Sequence, residues 1–347
     1  VGGALIPTRP IGTSGLELSV VGLGTAPLGD LKRCQTPGQA SDLLQAAWDA
    51  GIRYFDTAPF YGCGLAERRT GDFLRDKPRD ALVLSSKVGR LLVPDRAWSL
   101  DRYDGDARAM PFRPAFDFSY DAIMKSFEQS LQRLGLERID ILLLHDLGRM
   151  SQGDNHEASL RQALEGGGIR ALQELRSSGA VKAIGAGVNE WEILDLLLDH
   201  GRWDVFLLAN RYTLLDQAVL DHFLPRCLRE GVAIVDGAPL NGGILATGAV
   251  PGAHYNYAPP SLEIVAKVSR IEAVCRKWQT PMVRAALNFP LGHPAITSII
   301  PGPVRDAELA ANLAHFQAAI PAGLWEELRT EGLIHPDAPA PTTPALV

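Results

Sequence analysis

GIRYFDTAPFYGCGLAER, residues 51–68, is the stretch on which the reading of the fold turns. It opens with a β-type apolar run at 52–55 and then releases Asp56 and Tyr61. A small-residue turn, Gly62-Cys63-Gly64, leads into a helical pattern at Glu67 and Arg68. Asp56 therefore stands at the C-terminal end of a strand, and Tyr61 on the loop after it. In parallel α/β folds that end is where chemistry is placed. An acid and a phenol released together there point to a proton-transfer site. Two residues alone also fit a plainer reading, an Asp that caps a turn with a Tyr packed against it. The flanking chain decides between them.

Upstream, residues 9–25 read as a hairpin feeding a strand, with Gly12-Thr13-Ser14-Gly15 as the turn and alternation over 16–23. Gly22 and Gly24 let a ligand approach the backbone closely, although G-x-G alone is weak evidence for a dinucleotide. Leu43, Leu44, Ala47 and Trp48 carry helical spacing just before the decisive strand. Downstream, ALVLSSK at 81–87 is a near-continuous apolar strand ending in Lys87, and RIDILLLH at 138–145 is another ending in His145. Between them, 89–117 run long without periodicity, as functional or mobile loops do, and 119–134 are amphipathic. Further strands open near 181, 204, 232 and 296, separated by helices over 159–178, 190–200, 216–230 and 262–278 and by a Gly/Pro-rich loop over 239–260. Helices at 305–316 and 323–333 close the series.

With strands near 20, 52, 81 and 138, this makes eight strand–helix units in series. They read as an α/β protein, a (β/α)8 barrel with an N-terminal β-hairpin and a C-terminal extra helix. A doubly wound open sheet fits less well, because the units continue without a domain break and G-x-G-x-x-G is absent. One domain is expected over 1–336, followed by a Pro/Ala-rich tail at 337–347 whose composition predicts disorder.

The 347 residues carry a formal charge of −6 and are 46% hydrophobic, the composition of a soluble globular protein. Mild acidity leaves no nucleic-acid footprint. No apolar run approaches the ~20 residues that cross a membrane, and the N-terminus lacks the pattern of a secretory signal. Cys34, Cys63, Cys227 and Cys275 are scattered without a CxxC pair, so neither a disulfide scaffold nor a metal site is expected, and a reduced, cytoplasmic protein is. Cys63 lies beside the candidate site and reads as a reactive thiol or, more plainly, as a small loop filler. Oligomeric state is left open.

Asp56, Lys87 and His145 thus end three strands, with Tyr61 on the first of the following loops. In a barrel these ends converge on one mouth. Each residue has a bland reading: Lys87 snorkelling to solvent, His145 hydrogen-bonded in the core, Asp56 paired with an arginine. Four such coincidences on one rim are much less plausible than one site. Tyrosine, with a reference pKa of ~10, is a poor base. A nearby lysine ammonium favours the phenolate and lowers that pKa. Asp56 would hold the ammonium, and a neutral His145 would orient a substrate oxygen. This set suits proton transfer at a carbonyl oxygen while a hydride moves at carbon. No nucleophile–base pair supports acyl transfer, and no carboxylate pair suggests glycoside hydrolysis.

GIRYFDTAPFYG, LSSKVG, DILLLHD, IGAGVNEW, DGAPLNGGIL and IIPGPVRDAELAANL follow one another across residues 10–330, and in them the chain resembles the aldo-keto reductase family. The resemblance implies a (β/α)8 barrel binding NAD or NADP without a Rossmann motif, and a catalytic tetrad of Asp56, Tyr61, Lys87 and His145 with Tyr61 as general acid/base. It implies cofactor contacts from Gly24, Thr25, Asn189, Asn210, Pro239, Leu240, Gly242, Gly302, Arg305, Glu308 and Asn312. Within the family, LGTAPLGDL, LLANRYTLLD and VDGAPLNGGIL are most similar to the aldose dehydrogenases. The expected substrate is therefore the anomeric hydroxyl of a sugar, oxidised to a lactone. The alternatives are pyridoxal or another cyclic hemiacetal, a general aldehyde or ketone reductase, or a non-catalytic barrel acting as a regulatory subunit.

Three departures stand out. Gly237 falls where many relatives stack a tyrosine on the nicotinamide. Gly187-Val188-Asn189 replaces Ser-Asn, with Asn189 keeping the amide contact. Ala209-Asn210 replaces a glutamine. Where NADP-preferring relatives carry cations that grip the 2′-phosphate, this chain has Gly302 and Glu308, with Arg305 as the nearby cation. NAD is therefore expected over NADP, Glu308 accepting from a ribose hydroxyl as acidic residues do at other NAD sites. Asn312 falls where relatives contact the adenine.

Overall fold

The computed structural model describes residues 6–30, 36–341 and 343–346. Strands β1 (Thr8–Pro10) and β2 (Glu17–Ser19) pair antiparallel as a hairpin. Eight parallel strands follow: β3 (Leu23–Gly24), β4 (Tyr54–Asp56), β5 (Val83–Val88), β8 (Ile141–His145), β9 (Ala183–Val188), β10 (Val205–Ala209), β11 (Ala233–Gly237) and β12 (Ile296–Ile300). They are hydrogen-bonded in chain order. The seam closes where Val21 bridges Ile299 in parallel and the Gly24 amide donates to the Pro301 carbonyl at 3.1 Å. The result is the expected (β/α)8 barrel with its N-terminal hairpin.

Alternation sorts the strand residues into two cores. Tyr54, Ile141, Leu143, Val205 and Val235 point inward and pack with Ile11, Leu16 and Leu18 of the hairpin, which plugs the N-terminal end. Phe55, Leu142, Leu144, Phe206 and Leu208 point outward beneath the helices. Because all eight strands run the same way, the residues at their C-terminal ends form a single rim.

The helices follow from local signals. Helix α1 (Pro37–Asp49) starts at a capping box in which Thr36 Oγ1 accepts from the Gln39 amide at 3.2 Å and Gln39 Oε1 accepts from the Thr36 amide at 2.9 Å. Helix α2 (Leu65–Leu74) follows β4. Its buried Glu67 accepts from Ser86 of β5 at 2.8 Å and from Arg133 at 2.5 Å. Helix α8 (Trp191–Leu198) follows β9, α9 (Phe223–Glu230) follows β10, and α13 (Asp306–Gln317) and α14 (Ala322–Thr330) follow β12.

Several elements differ from expectation. Residues 89–117, read as a loop, contain an antiparallel ribbon of β6 (Arg90–Pro94) and β7 (Phe112–Phe116) around α3 (Arg96–Arg102), before α4 (Tyr120–Leu134). The segment read as one helix over 159–178 is two, α6 (His156–Leu164) and α7 (Gly168–Ser177), after a short α5 (Arg149–Gln152). The Gly166-Gly167-Gly168 run breaks it, with Gly167 at a φ of 85°. Between β11 and β12, α10 (Ile244–Thr247), α11 (Leu262–Lys277) and an unanticipated α12 (Met282–Asn288) fill the crossover.

The described part of the tail also differs. Ala338 and Leu346 are buried, the Ala338 carbonyl accepts from Arg329 at 2.7 Å, and the Leu346 amide donates to the Phe316 carbonyl at 3.2 Å. Among the described tail residues, Ala338 and Leu346 pack into the hydrophobic core, where composition predicts disorder. Among the described residues no helix is long and apolar enough to cross a membrane.

Candidate active site

Strand β4 delivers Asp56 into the barrel, and β5 delivers Lys87 beside it. Lys87 Nζ donates to Asp56 Oδ2 at 2.7 Å, to the Thr57 carbonyl at 2.9 Å and to Tyr61 Oη at 3.2 Å. Ser85 Oγ donates to Asp56 Oδ1 at 2.6 Å, so both carboxylate oxygens are engaged. The lysine stem runs inside the barrel past Gly187, where a Cβ would stand 3.3 Å from Lys87 Cε. Asp56 and Lys87 are each 1% exposed.

Tyr61 reaches this pair from the turn after β4. That turn is seated on the 3-10 turn Ala26–Gly29, where Gly29 and Gly62 meet backbone to backbone: a Cβ on Gly29 would lie 2.4 Å from the Tyr61 carbonyl carbon. The His145 ring stands edge-on to Tyr61 with centroids 6.0 Å apart, and edge-on to Phe60 at 6.2 Å. The four residues expected to form one cluster do meet at the mouth.

The fields there oppose one another. Burial raises the Tyr61 pKa to about 12, against the pull of Lys87 toward the phenolate. Lys87 acts in the expected direction, lowering the Tyr61 pKa, but burial outweighs it. Lys87 is itself pushed down by burial, but Asp56 and Tyr61 more than offset that and hold it charged. His145 is held well below its ordinary pKa by burial and by the cations Arg90 and Lys87, so it is neutral. Its Nδ1 is buried without a partner among the described residues.

The residues expected at the cofactor occupy the neighbouring sector of the rim. At the end of β3, Thr25 is fully buried, with both its amide and its hydroxyl donating to the Asp56 carbonyl at 2.9 Å. Gly24 and Gly302 meet across the seam, the Gly24 carbonyl lying 3.4 Å from where a Gly302 Cβ would stand. Asn210 Nδ2 donates to Asn189 Oδ1 at 3.2 Å, while Asn210 Oδ1 is buried without a partner among the described residues. After β11, Pro239 is buried, Leu240 half-buried and Gly242 exposed. On α13, Arg305 donates to Glu308 Oε1 at 3.1 Å and Glu308 Oε2 accepts from the Val304 amide at 2.8 Å. Glu308 thus caps its own helix and neutralises the nearby cation. Asn312 lies half-buried one turn further on.

Sequence reasoning missed Arg90, Asp146, Asn241 and Tyr257. The Arg90 guanidinium contacts Asp146, whose Oδ2 lies 3.4 Å from His145 Nε2. Asp146 carries the same signal that marks Lys87, a charge at the end of an apolar strand, but it stands directly after His145, which carries that signal too. Asn241, at a φ of 48°, donates to Asn256 Oδ1 at 2.9 Å and to the Asn210 carbonyl at 3.3 Å, and its own Oδ1 is buried without a partner among the described residues. Tyr257 approaches Asn210 Nδ2 with its hydroxyl at 3.5 Å. Nothing in the sequence of its loop marks it. Cys63, Cys227 and Cys275 are free and buried, with burial raising each thiol; Cys34 lies outside the described residues. Among the described residues no three His, Cys, Asp or Glu side chains are grouped to hold a metal ion.

The family model for the aldo/keto reductase family matches residues 20–330, and the chain belongs to that family. A pyridoxal 4-dehydrogenase of Microbacterium luteolum is 43% identical over 336 residues, covering 94% of this chain and 97% of the relative. A D-threo-aldose 1-dehydrogenase of a Pseudomonas species is 39% identical over 325 residues, covering 92% and 96%. Among solved structures, an aldo-keto reductase of Bacillus halodurans in a holo form superposes with a TM-score of 0.72 at 21% identity, covering 97% of this chain and 98% of its own. That likeness speaks to the fold. Together the family match and the two dehydrogenase relatives make the chain an oxidoreductase enzyme acting on a small molecule.

Proposed function

We propose that this oxidoreductase oxidises the anomeric hydroxyl of an aldose, in its cyclic hemiacetal form, to the lactone, using NAD. The observation that carries the reading is the buried Asp56–Lys87–Tyr61 chain opening beside a neutral His145. On this reading Tyr61 Oη exchanges the proton of the C1 hydroxyl. Lys87 favours the phenolate that receives it, Asp56 keeps Lys87 charged and in place, and His145 Nε2–H orients the reacting oxygen.

The rim has groups suited to a nicotinamide dinucleotide. Asn210 Oδ1 and Asn241 Oδ1 are buried acceptors without partners among the described residues, and Asn189 stands beside Asn210. Gly24, Thr25, Pro239, Leu240, Gly242, Gly302, Arg305, Glu308 and Asn312 would complete the cradle. Such a group would supply the hydride acceptor. Gly237 brings no ring to that place. The Arg305–Glu308 pair supports NAD over NADP, since neither residue offers a free positive charge to a 2′-phosphate. The ratio of kcat/KM for the two cofactors tests this. It should favour NAD in the wild type and move toward NADP in Glu308→Arg; a wild type preferring NADP would end the proposal.

Pyridoxal is the second reading, favoured by the relative at 43% identity, and it too can present a cyclic hemiacetal. Steady-state oxidation of a panel of aldoses and of pyridoxal, with the product identified as lactone, tests the assignment. Turnover confined to the reduction of simple aldehydes would contradict it. The free, buried thiols favour a reducing compartment, the cytoplasm.

A further inference from the structure

One buried ion pair at the same mouth has no part in the proton chain. Arg90 opens β6, and its guanidinium contacts the Asp146 carboxylate. Arg90 Cζ lies 3.9 Å from the Phe60 ring centroid and 4.4 Å from that of Phe116, so the fork is clamped between two aromatic faces. Both charged residues are 8% exposed. Asp146 takes a left-handed φ of 54°, which a non-glycine residue adopts at a cost. Its amide donates to the Gly187 carbonyl at 2.9 Å. The carboxylate is therefore held in one direction, toward His145, with Oδ2 3.4 Å from Nε2. A buried ion pair contributes little net stability over an apolar replacement. One that is stacked, strained and aimed at the reacting centre has the features of a preorganised recognition group.

We propose that Arg90 and Asp146 are specificity residues that bind the substrate oxygen next to the reacting one. They would select hydroxylated carbonyl compounds and their hemiacetals over plain aldehydes. The inference rests on the reading of this mouth as a hydride-transfer site. A reacting oxygen shared by Tyr61 Oη and His145 Nε2 lies next to Asp146. A hydroxyl on the adjacent carbon, gauche to the reacting oxygen, then donates to the carboxylate and accepts from the guanidinium. A substrate without that hydroxyl leaves both charged groups facing apolar surface with water excluded, and polar sites of this kind reject the deoxygenated analogue strongly.

The test uses two matched pairs: an aldose and its 2-deoxy analogue in oxidation, and glyceraldehyde and propanal in reduction. kcat/KM is measured for wild type, Asp146→Asn and Arg90→Lys, with NADH affinity and thermal unfolding as controls for folding. The wild type should prefer the hydroxylated member of each pair by on the order of 10²-fold or more. Asp146→Asn should collapse that ratio, losing the hydroxylated member far more than the deoxygenated one. Arg90→Lys, which keeps the charge and loses the planar fork, should lower the ratio to an intermediate value. A wild type without preference overturns the inference, and so does a variant that loses both members of a pair equally. If no aldose is oxidised, the anomeric-oxidation reading fails while the glyceraldehyde–propanal pair still decides this one.

Discussion

Tyr61 stands in a field that pulls both ways. Burial holds its pKa at about 12 while Lys87, 3.2 Å away, pulls it down. An acid whose pKa is raised is protonated across the neutral range, so the phenol is ready to donate and the phenolate is scarce. The oxidative direction needs the phenolate, and its kcat/KM should climb with pH between about 7 and 10. The reductive direction needs the phenol and should stay flat over the same window. Lys87→Met removes the cation that opposes the rise, so the oxidative limb should move to still higher pH. A pH–rate profile that does not shift would take Lys87 out of the mechanism. Lys87 and His145 were legible in the sequence because a polar residue ending an apolar strand is anomalous at sight. Asp146 was not, because the histidine before it already accounted for the anomaly. Its role depends on Arg90, 56 positions upstream, and no local pattern joins the two.

Among the elements, the turn that carries Tyr61 is set by contact with another turn. Gly29 and Gly62 touch with no side chain between them, and an added Cβ on Gly29 would stand 2.5 Å from the Gly62 nitrogen. Gly29→Ala should leave the barrel folded but shift the Tyr61 turn. Misplacement of a reacting group by about 1 Å costs on the order of 10²-fold in rate, so kcat should fall by that order while circular dichroism stays native. Wild-type turnover in a folded Gly29→Ala protein would mean that the turn is not positioned by this contact. The β6–β7 ribbon was illegible for a physical reason. Its strands are five residues each, Pro94 and Pro114 fall within them, and their pairing spans the α3 segment; periodicity has too few residues to register. The barrel strands were legible because both of their faces are covered, which makes them continuous apolar runs.

At the scale of the whole molecule, the order and number of the strands could be read, while the sites where distant segments meet could not. The burial of Ala338 and Leu346 is of this kind, and so is that of Asp236. It lies on the outward face of β11, 1% exposed, with neither carboxylate oxygen hydrogen-bonded among the described residues. Burial raises its pKa well above the ordinary carboxylate value. The unfolded chain therefore releases this proton at lower pH than the folded one. Stability is lost as pH rises from the ordinary carboxylate range toward the raised value. Asp236→Asn should flatten that slope. Because the amide is neutral without binding a proton, it should raise Tm at neutral pH by a few degrees. A Tm–pH curve identical to wild type would show that Asp236 is paired in solution. The proton of the reaction is proposed to pass through Tyr61 at this mouth, and Tyr61→Phe is the direct test. Single-turnover formation of reduced nicotinamide from the best hemiacetal substrate should fall by about 10²–10⁴-fold, with cofactor affinity and thermal unfolding unchanged. A folded Tyr61→Phe protein that turns over at the wild-type rate would contradict it.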